Sequence, residues 1–163
     1  MATEQISLNK IVKKKPIVCT PTMKISEAAA LMLKENCGCL PVVESADRLF
    51  PIGMITDRDI VCRSIAKGLN PMNMQVKDCM TKGCHTIFSA AALSEAERIF
   101  DSKKIGRVVL IDKSGKCSGV LSRADLMEYS LKTEAPAKRL VAPKEPKTLP
   151  KSKAKVPVYA RTH

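Results

Sequence analysis

Tryptophan is missing from this chain of 163 residues, and aromatic residues make up only 3% of it. A protein that reads single-stranded nucleic acid by stacking bases on aromatic side chains needs more than that. Histidine occurs twice, at His85 and His163. No grouping of histidine, cysteine, serine and carboxylate has the spacing of a nucleophilic or metal-assisted active site, so the chain is not expected to be an enzyme. Long apolar runs are also lacking. Nothing approaches the roughly 18 residues that cross a bilayer, and Met1 to Lys15 holds no apolar block of signal-peptide length. The expectation is a cytoplasmic protein with no membrane partner. The seven cysteines (19, 37, 39, 62, 79, 84 and 117) are odd in number and lack paired C-x-x-C spacing. Cys37-Gly38-Cys39, and Cys79 with Cys84-His85, come nearest to a metal set without reaching one. In a reducing compartment such cysteines serve as small hydrophobes.

What the chain does contain is enough for one compact domain, with 45% hydrophobic residues, and some unstructured length besides. Its charge is uneven. Residues 132–163 carry nine Lys or Arg against two Glu, a net +7 out of the chain's +12, together with five of its ten prolines. Such a segment buries too little apolar surface to offset its ordering entropy and reads as a disordered basic tail. A tail of this kind either solvates the protein or attracts phosphate backbones without reading sequence.

The rest is organised by a repeat. Gly53-Met54-Ile55-Thr56-Asp57-Arg58-Asp59-Ile60 returns as Gly119-Val120-Leu121-Ser122-Arg123-Ala124-Asp125-Leu126, an offset of 66. Upstream, Ile25-Ser26-Glu27-Ala28 returns as Leu93-Ser94-Glu95-Ala96, and Gly38 as Gly106, both at an offset of 68. The difference falls in the segment after Glu44 and reads as a hairpin loop longer by two residues, which leaves strands in register. Each copy spells strand, helix, strand, strand, helix. In the first copy these are Ile17 to Cys19, a helix capped by Ser26 and closed by Gly38, Leu40 to Val43, Pro51 to Ile55, and the segment after Thr56. In the second they are Thr86-Ile87, Ser94 to Lys103, Val108 to Ile111, a turn at Asp112 to Gly115, Cys117 to Leu121, and a helix to about Leu131. The helix stripes Ala28, Leu31, Met32 and Ala96, Ile99, Phe100 correspond at the same offset of 68 and predict one repeated packing environment. A unit of about 60 residues buries only about 60% of its unfolded surface, so the copies are expected to share a core.

Thr56 and Ser122 stand where a strand hands over to a helix, each with an aspartate three residues on. That spacing suits a capping box. It also suits a ligand site, because a helix N-terminus offers free N–H groups to a phosphate and a carboxylate can accept from paired ribose hydroxyls. The spacing alone leaves both readings open.

The doubled motif, its order and its spacing resemble a tandem pair of CBS domains, over roughly Ile17 to Leu131. Val76-Lys77-Asp78-Cys79-Met80-Thr81 resembles that family's lead-in to a repeat. The resemblance implies an α+β fold of two β-α-β-β-α repeats packed about a pseudo-two-fold axis. Residues 1–16 would be a lead-in, 17–75 and 76–131 the repeats, and 132–163 the tail. It further implies two clefts for adenosine-containing ligands, AMP, ADP, ATP or S-adenosylmethionine, with no obligatory cofactor. One cleft would combine Ser122 and Asp125 with Ile17, Val18, Cys37 and Cys39. The other would combine Thr56, Arg58 and Asp59 with Thr86, Ile105 and Arg107, and Phe88 would fill it or stack on the base. The implied role is a regulatory metabolite sensor that forms a homodimer and acts on another protein. The alternative is an adaptor for nucleic acid or another anionic surface, acting through the tail and carrying degenerate clefts.

Overall fold

A computed structural model describes residues 7–12 and 15–133. The basic tail from residue 134 onward, and the nucleic-acid reading placed on it, lie outside the described residues.

The first copy folds as α1 (Ile25–Lys34), β1 (Cys39–Val43), β2 (Pro51–Thr56) and α2 (Asp57–Arg63). Two short 3-10 turns lead to α3 (Val76–Cys79) and β3 (Thr81–Lys82), and the second copy follows as β4 (Thr86–Phe88), α4 (Leu93–Lys103), β5 (Arg107–Ile111), β6 (Cys117–Ser122) and α5 (Arg123–Thr133). Each copy builds a three-stranded sheet, in the orders β1-β2-β3 and β4-β5-β6. In both, a hairpin supplies two antiparallel strands, β1 with β2 and β5 with β6. The parallel pairing of β4 with β5 shrinks in the first copy to a single bridge between Cys19 and Val42, where a full strand over Ile17 to Cys19 is expected from sequence. Pro21, which has no N–H to donate, follows within two residues of that bridge.

The hairpin loops differ as the offsets require, with residues 44–50 in one copy and 112–116 in the other. The second is closed by Asp112, whose Oδ1 accepts from the Ser114 and Lys116 N–H groups at 2.8 and 3.0 Å. Gly115, at φ +79°, provides the left-handed residue.

Two helix ends depart from expectation. α1 opens one residue before Ser26, where Glu27 accepts from the N–H of the capping residue Lys24 at 3.2 Å and the Ile25 N–H donates to the Met74 carbonyl at 3.0 Å. It closes through Asn36 in the left-handed region, φ 49°, rather than through Gly38. Gly38 is needed for space: a Cβ there would sit 3.0 Å from Asp57 Oδ2 and 3.6 Å from Arg107 Nη2.

Three apolar clusters hold the fold. Ile25, Ala28, Met32, Leu40, Val42, Ile55 and Ile60 form the first, and Ile87, Ala96, Phe100, Val108, Leu110, Leu121 and Leu126 the second. Val43, Val109 and Cys117 form the third, joined by Val18 and Met54, and this one fastens β1 and β2 to β5 and β6. The two copies therefore share a core.

Packing also crosses from copy to copy through the lead-ins. Val76, Cys79 and Met80, which head the second copy in sequence, belong to the first cluster. Leu8, which heads the first copy, is fully buried in the second. The motif glycines make room for this exchange. A Cβ on Gly53 would lie 2.4 Å from Met80 Cε and from the Thr81 carbonyl oxygen, and one on Gly119 would lie 2.7 Å from Val12 Cγ1.

Candidate functional site

Both hydroxyl-acid pairs close as capping boxes. At the head of α2, Thr56 Oγ1 accepts from the Asp59 N–H at 3.0 Å, and Asp59 Oδ2 accepts from the Thr56 N–H and hydroxyl at 3.0 and 2.8 Å. At the head of α5, Ser122 Oγ accepts from the Asp125 N–H at 3.2 Å, while Asp125 Oδ2 accepts from the Ser122 N–H and hydroxyl at 2.8 and 2.6 Å. The capping reading of the spacing therefore describes both helix starts.

The second carboxylate oxygen separates the pairs. Asp59 Oδ1 is ion-paired with Arg63 Nη2 at 3.2 Å, and the aspartate side chain is only 17% exposed. Arg63 is itself fixed by the Cys79 carbonyl at 2.7 Å and Thr81 Oγ1 at 3.0 Å. The equivalent of Arg63 at the offset of 66 is Tyr129, which brings no such cation to Asp125. Among the described residues Asp125 forms no ion pair, and it lines a cleft.

That cleft is a cavity of about 530 Å³, lined by Ile17, Cys37, Cys39, Ser122 and Asp125, five of the six residues assigned to one site from sequence. Its volume falls within the range of small-molecule sites. Val18 does not line it, because it packs between the sheets. Ile11, Val12, Lys15 and Pro16 form a further wall, missed in sequence because the lead-in was assigned no part in either site. Arg107, assigned to the other cleft, also reaches this one. Register explains how: Arg107 is the cross-strand partner of Ser122, and side chains of directly opposed residues share a face.

The second set is not gathered in the same way. Thr56, Arg58, Asp59, Thr86 and Ile105 line neither that cavity nor one between α4 and α5. Ile105 packs toward the second apolar cluster, and its carbonyl accepts from Arg123 Nε at 3.2 Å. Phe88, 57% exposed, lines neither of these two cavities.

The four buried cysteines, Cys19, Cys39, Cys79 and Cys117, behave as apolar residues. Burial pushes the Cys19 thiol up to about 12 and the Cys117 thiol up to about 11, and raises Cys39 despite the opposing charge of Arg107. A thiol must ionise to react. At neutral pH a maleimide is therefore expected to label exposed Cys62 well before Cys19, Cys79 and Cys117, as peptide mapping over a time course would show. Early modification of the buried three would contradict the packing. Among the described residues no group of three metal-ligating side chains occurs, and no helix is long and apolar enough to cross a membrane.

The CBS domain family model matches the chain twice, over residues 8–64 and 76–132. An uncharacterised protein of Methanopyrus kandleri is 28% identical over 123 residues, 76% of this chain, and the chain spans only 62% of that relative's length. The inosine-5'-monophosphate dehydrogenase of Streptococcus pyogenes is 31% identical over 113 residues, which cover 68% of this chain but 22% of the enzyme. Among solved structures, CBSX2, a CBS-pair protein of Arabidopsis thaliana crystallised in complex with AMP, superimposes with a TM-score of 0.66 at 21% identity, covering 79% of this chain and 98% of that one.

Proposed function

This chain belongs to the CBS-domain family as a tandem pair, and from that premise we propose that it is a non-catalytic regulatory module binding an adenosine-containing nucleotide in the cleft of Ser122 and Asp125. The observation that carries the reading is the Asp125 carboxylate, which forms no ion pair among the described residues, at the edge of a cavity of about 530 Å³. A carboxylate oxygen there can accept from a ribose hydroxyl. The Ser122 hydroxyl and the first turn of α5 face a phosphate with the positive end of the helix dipole. Ile17, Val120 and Cys37 give the base an apolar wall. The complex of CBSX2 with AMP supports a nucleotide as the ligand class. The mirror site, its acid held by Arg63, is read as structural.

The test is a series of thermal melts with AMP, ADP, ATP and S-adenosylmethionine. A ligand at about 100 times its dissociation constant is expected to raise the melting temperature by several degrees. No shift with any of them would remove the nucleotide reading.

A homodimer is part of the same proposal. Val61 and Ile65 on and just after α2, and Met127 and Leu131 on α5, occupy equivalent positions at the offset of 66. They are 51%, 58%, 66% and 77% exposed. A second cavity, of about 430 Å³, lies between α4 and α5 beside Met127 and Leu131. Two apolar stripes related by the internal repeat suit a second copy of the chain, whose own pair of stripes matches them in a two-fold assembly. Met127→Glu combined with Leu131→Glu is expected to halve the mass seen by sedimentation while leaving the circular dichroism spectrum unchanged. A wild-type protein that sediments as a monomer would sink the dimer.

A further inference from the structure

Cys37 and Cys39 differ from the other five cysteines in lining the cleft. Cys19, Cys79 and Cys117 are buried in the apolar clusters, and Cys62 is exposed on α2. The two cleft thiols are also unequal. Cys37 is half-buried just past the end of α1, and Cys39 is buried as the first residue of β1. A thiol open to solvent with a second, sheltered thiol beside it can be oxidised and then resolved by its neighbour, a course closed to a lone thiol.

The backbone between them limits how far apart they can be. Residues two apart in sequence have Cα atoms separated by at most about 7 Å, and a disulfide takes about 4.4–6.8 Å. The chain bends at Gly38, which shortens that span, and both side chains reach the same cavity. The bend is held on either side. The Cys37 N–H donates to the Met32 carbonyl at 2.9 Å, and the Gly38 carbonyl accepts from the Asp57 N–H at 3.2 Å. The two thiols also feel each other's charge: burial raises the Cys39 thiol, the Arg107 guanidinium opposes that rise, and an ionised Cys37 adds to it.

We propose that Cys37 and Cys39 form a reversible dithiol-disulfide pair, giving the cleft a wall that responds to hydroperoxides. The pair is independent of which ligand the cleft holds. Cys37, reached by solvent, reacts first. Its thiolate attacks a peroxide oxygen, a sulfur–oxygen bond forms as the oxygen–oxygen bond breaks, and the departing hydroxide takes up the thiol's proton to leave as water. Cys39 sulfur then attacks Cys37 sulfur. The disulfide forms, the sulfur–oxygen bond breaks, and the second hydroxide leaves as water with the Cys39 proton. Two thiols lose two electrons and the peroxide gains them. A thiol reductant reverses the step by exchange.

The experiment treats the full chain briefly with hydrogen peroxide, blocks the remaining thiols with iodoacetamide and weighs the tryptic peptides. Cleavage after Lys34 and Arg48 places Cys37 and Cys39, and no other cysteine, on one peptide. That peptide is expected to escape alkylation and to be lighter by two hydrogens than its reduced form, and dithiothreitol is expected to restore it. In Cys39→Ser, Cys37 is expected to run on to the sulfinic acid, which dithiothreitol does not reverse. In Cys37→Ser, Cys39 is expected to stay reduced. Position 37 is half-buried, so if Cys39→Ser fails to fold, Cys37→Ser and the wild-type mass still decide. A wild-type peptide alkylated at both cysteines while Cys62 is oxidised would overturn the proposal. So would a sulfinic acid on Cys37 beside an intact Cys39, or a disulfide from either cysteine to another peptide.

Discussion

Leu8→Ala is expected to destabilise the protein by about 2–5 kcal/mol in urea unfolding, the usual cost of a leucine-to-alanine cavity in a packed core. Position 8 lies in a polar, lysine-rich stretch, where a substitution would ordinarily change stability by no more than about 0.5 kcal/mol. The difference comes from where the chain puts it. Leu8 is fully buried among Ile87, Phe100, Leu110 and Leu121 of the second repeat. The Leu8 and Asn9 N–H groups donate to the Ala91 and Ser89 carbonyls at 3.1 and 2.9 Å, so the segment is held by its backbone as well. A loss of less than about 1 kcal/mol would place the leucine outside the core and remove the lead-in as a wall of the cleft.

Asp125→Ala and Asp59→Ala should fail in different ways, although the two residues are equivalent in sequence. Removing Asp125 takes away the acceptor proposed for the ribose and is expected to weaken AMP by about 1–3 kcal/mol, or roughly 5- to 150-fold. The lost capping interactions add about 0.5–2 kcal/mol of destabilisation, since this end of α5 is exposed. Removing Asp59 breaks a capping box and also leaves Arg63 without its carboxylate, at a site only 17% exposed on the acid side. Its stability cost is expected to exceed that of Asp125→Ala, with AMP affinity unchanged. Titration calorimetry and urea melts on both variants give the four numbers. Equal loss of AMP binding in the two would mean that the Asp59 cleft is also a ligand site, and no loss in either would leave both aspartates as helix caps.

Much of the fold was legible because the chain states it twice. The stripes Ala28/Met32 and Ala96/Phe100 are buried as their helical spacing requires, and the offsets of 66 and 68 located the longer hairpin loop without any structure. Helix ends were harder to read, because local preference competes with tertiary space. Gly38 looks like a helix stop, but a side chain there would crowd Asp57, and Asn36 takes the left-handed turn instead. The site was half legible. The motif marked both hydroxyl-acid pairs, but their inequality turns on Arg63, one helical turn beyond Asp59. An i, i+4 pairing of that kind is visible in a sequence only once both residues are known to lie on one helix. The reach of Arg107 depends on cross-strand register, which sequence does not display. A lone leucine in the lead-in does not show its partners some eighty residues away, except that the offset of 68 sets Leu8 against Val76.

The exchange of lead-ins makes the pair, and not the single repeat, the smallest piece of chain that closes its own core. A cut in the connection at residues 68–74, where Leu69 and Met72 are exposed, would leave each fragment holding the plug that belongs in the other. Neither fragment is expected to fold fully by itself, and the two, carrying complementary parts, are expected to reassemble on mixing. The same swap performed between two chains would join them without any new contact being invented. For such a molecule, duplication of one repeat adds an unfinished half, and only the matched couple can be moved intact from one protein to another.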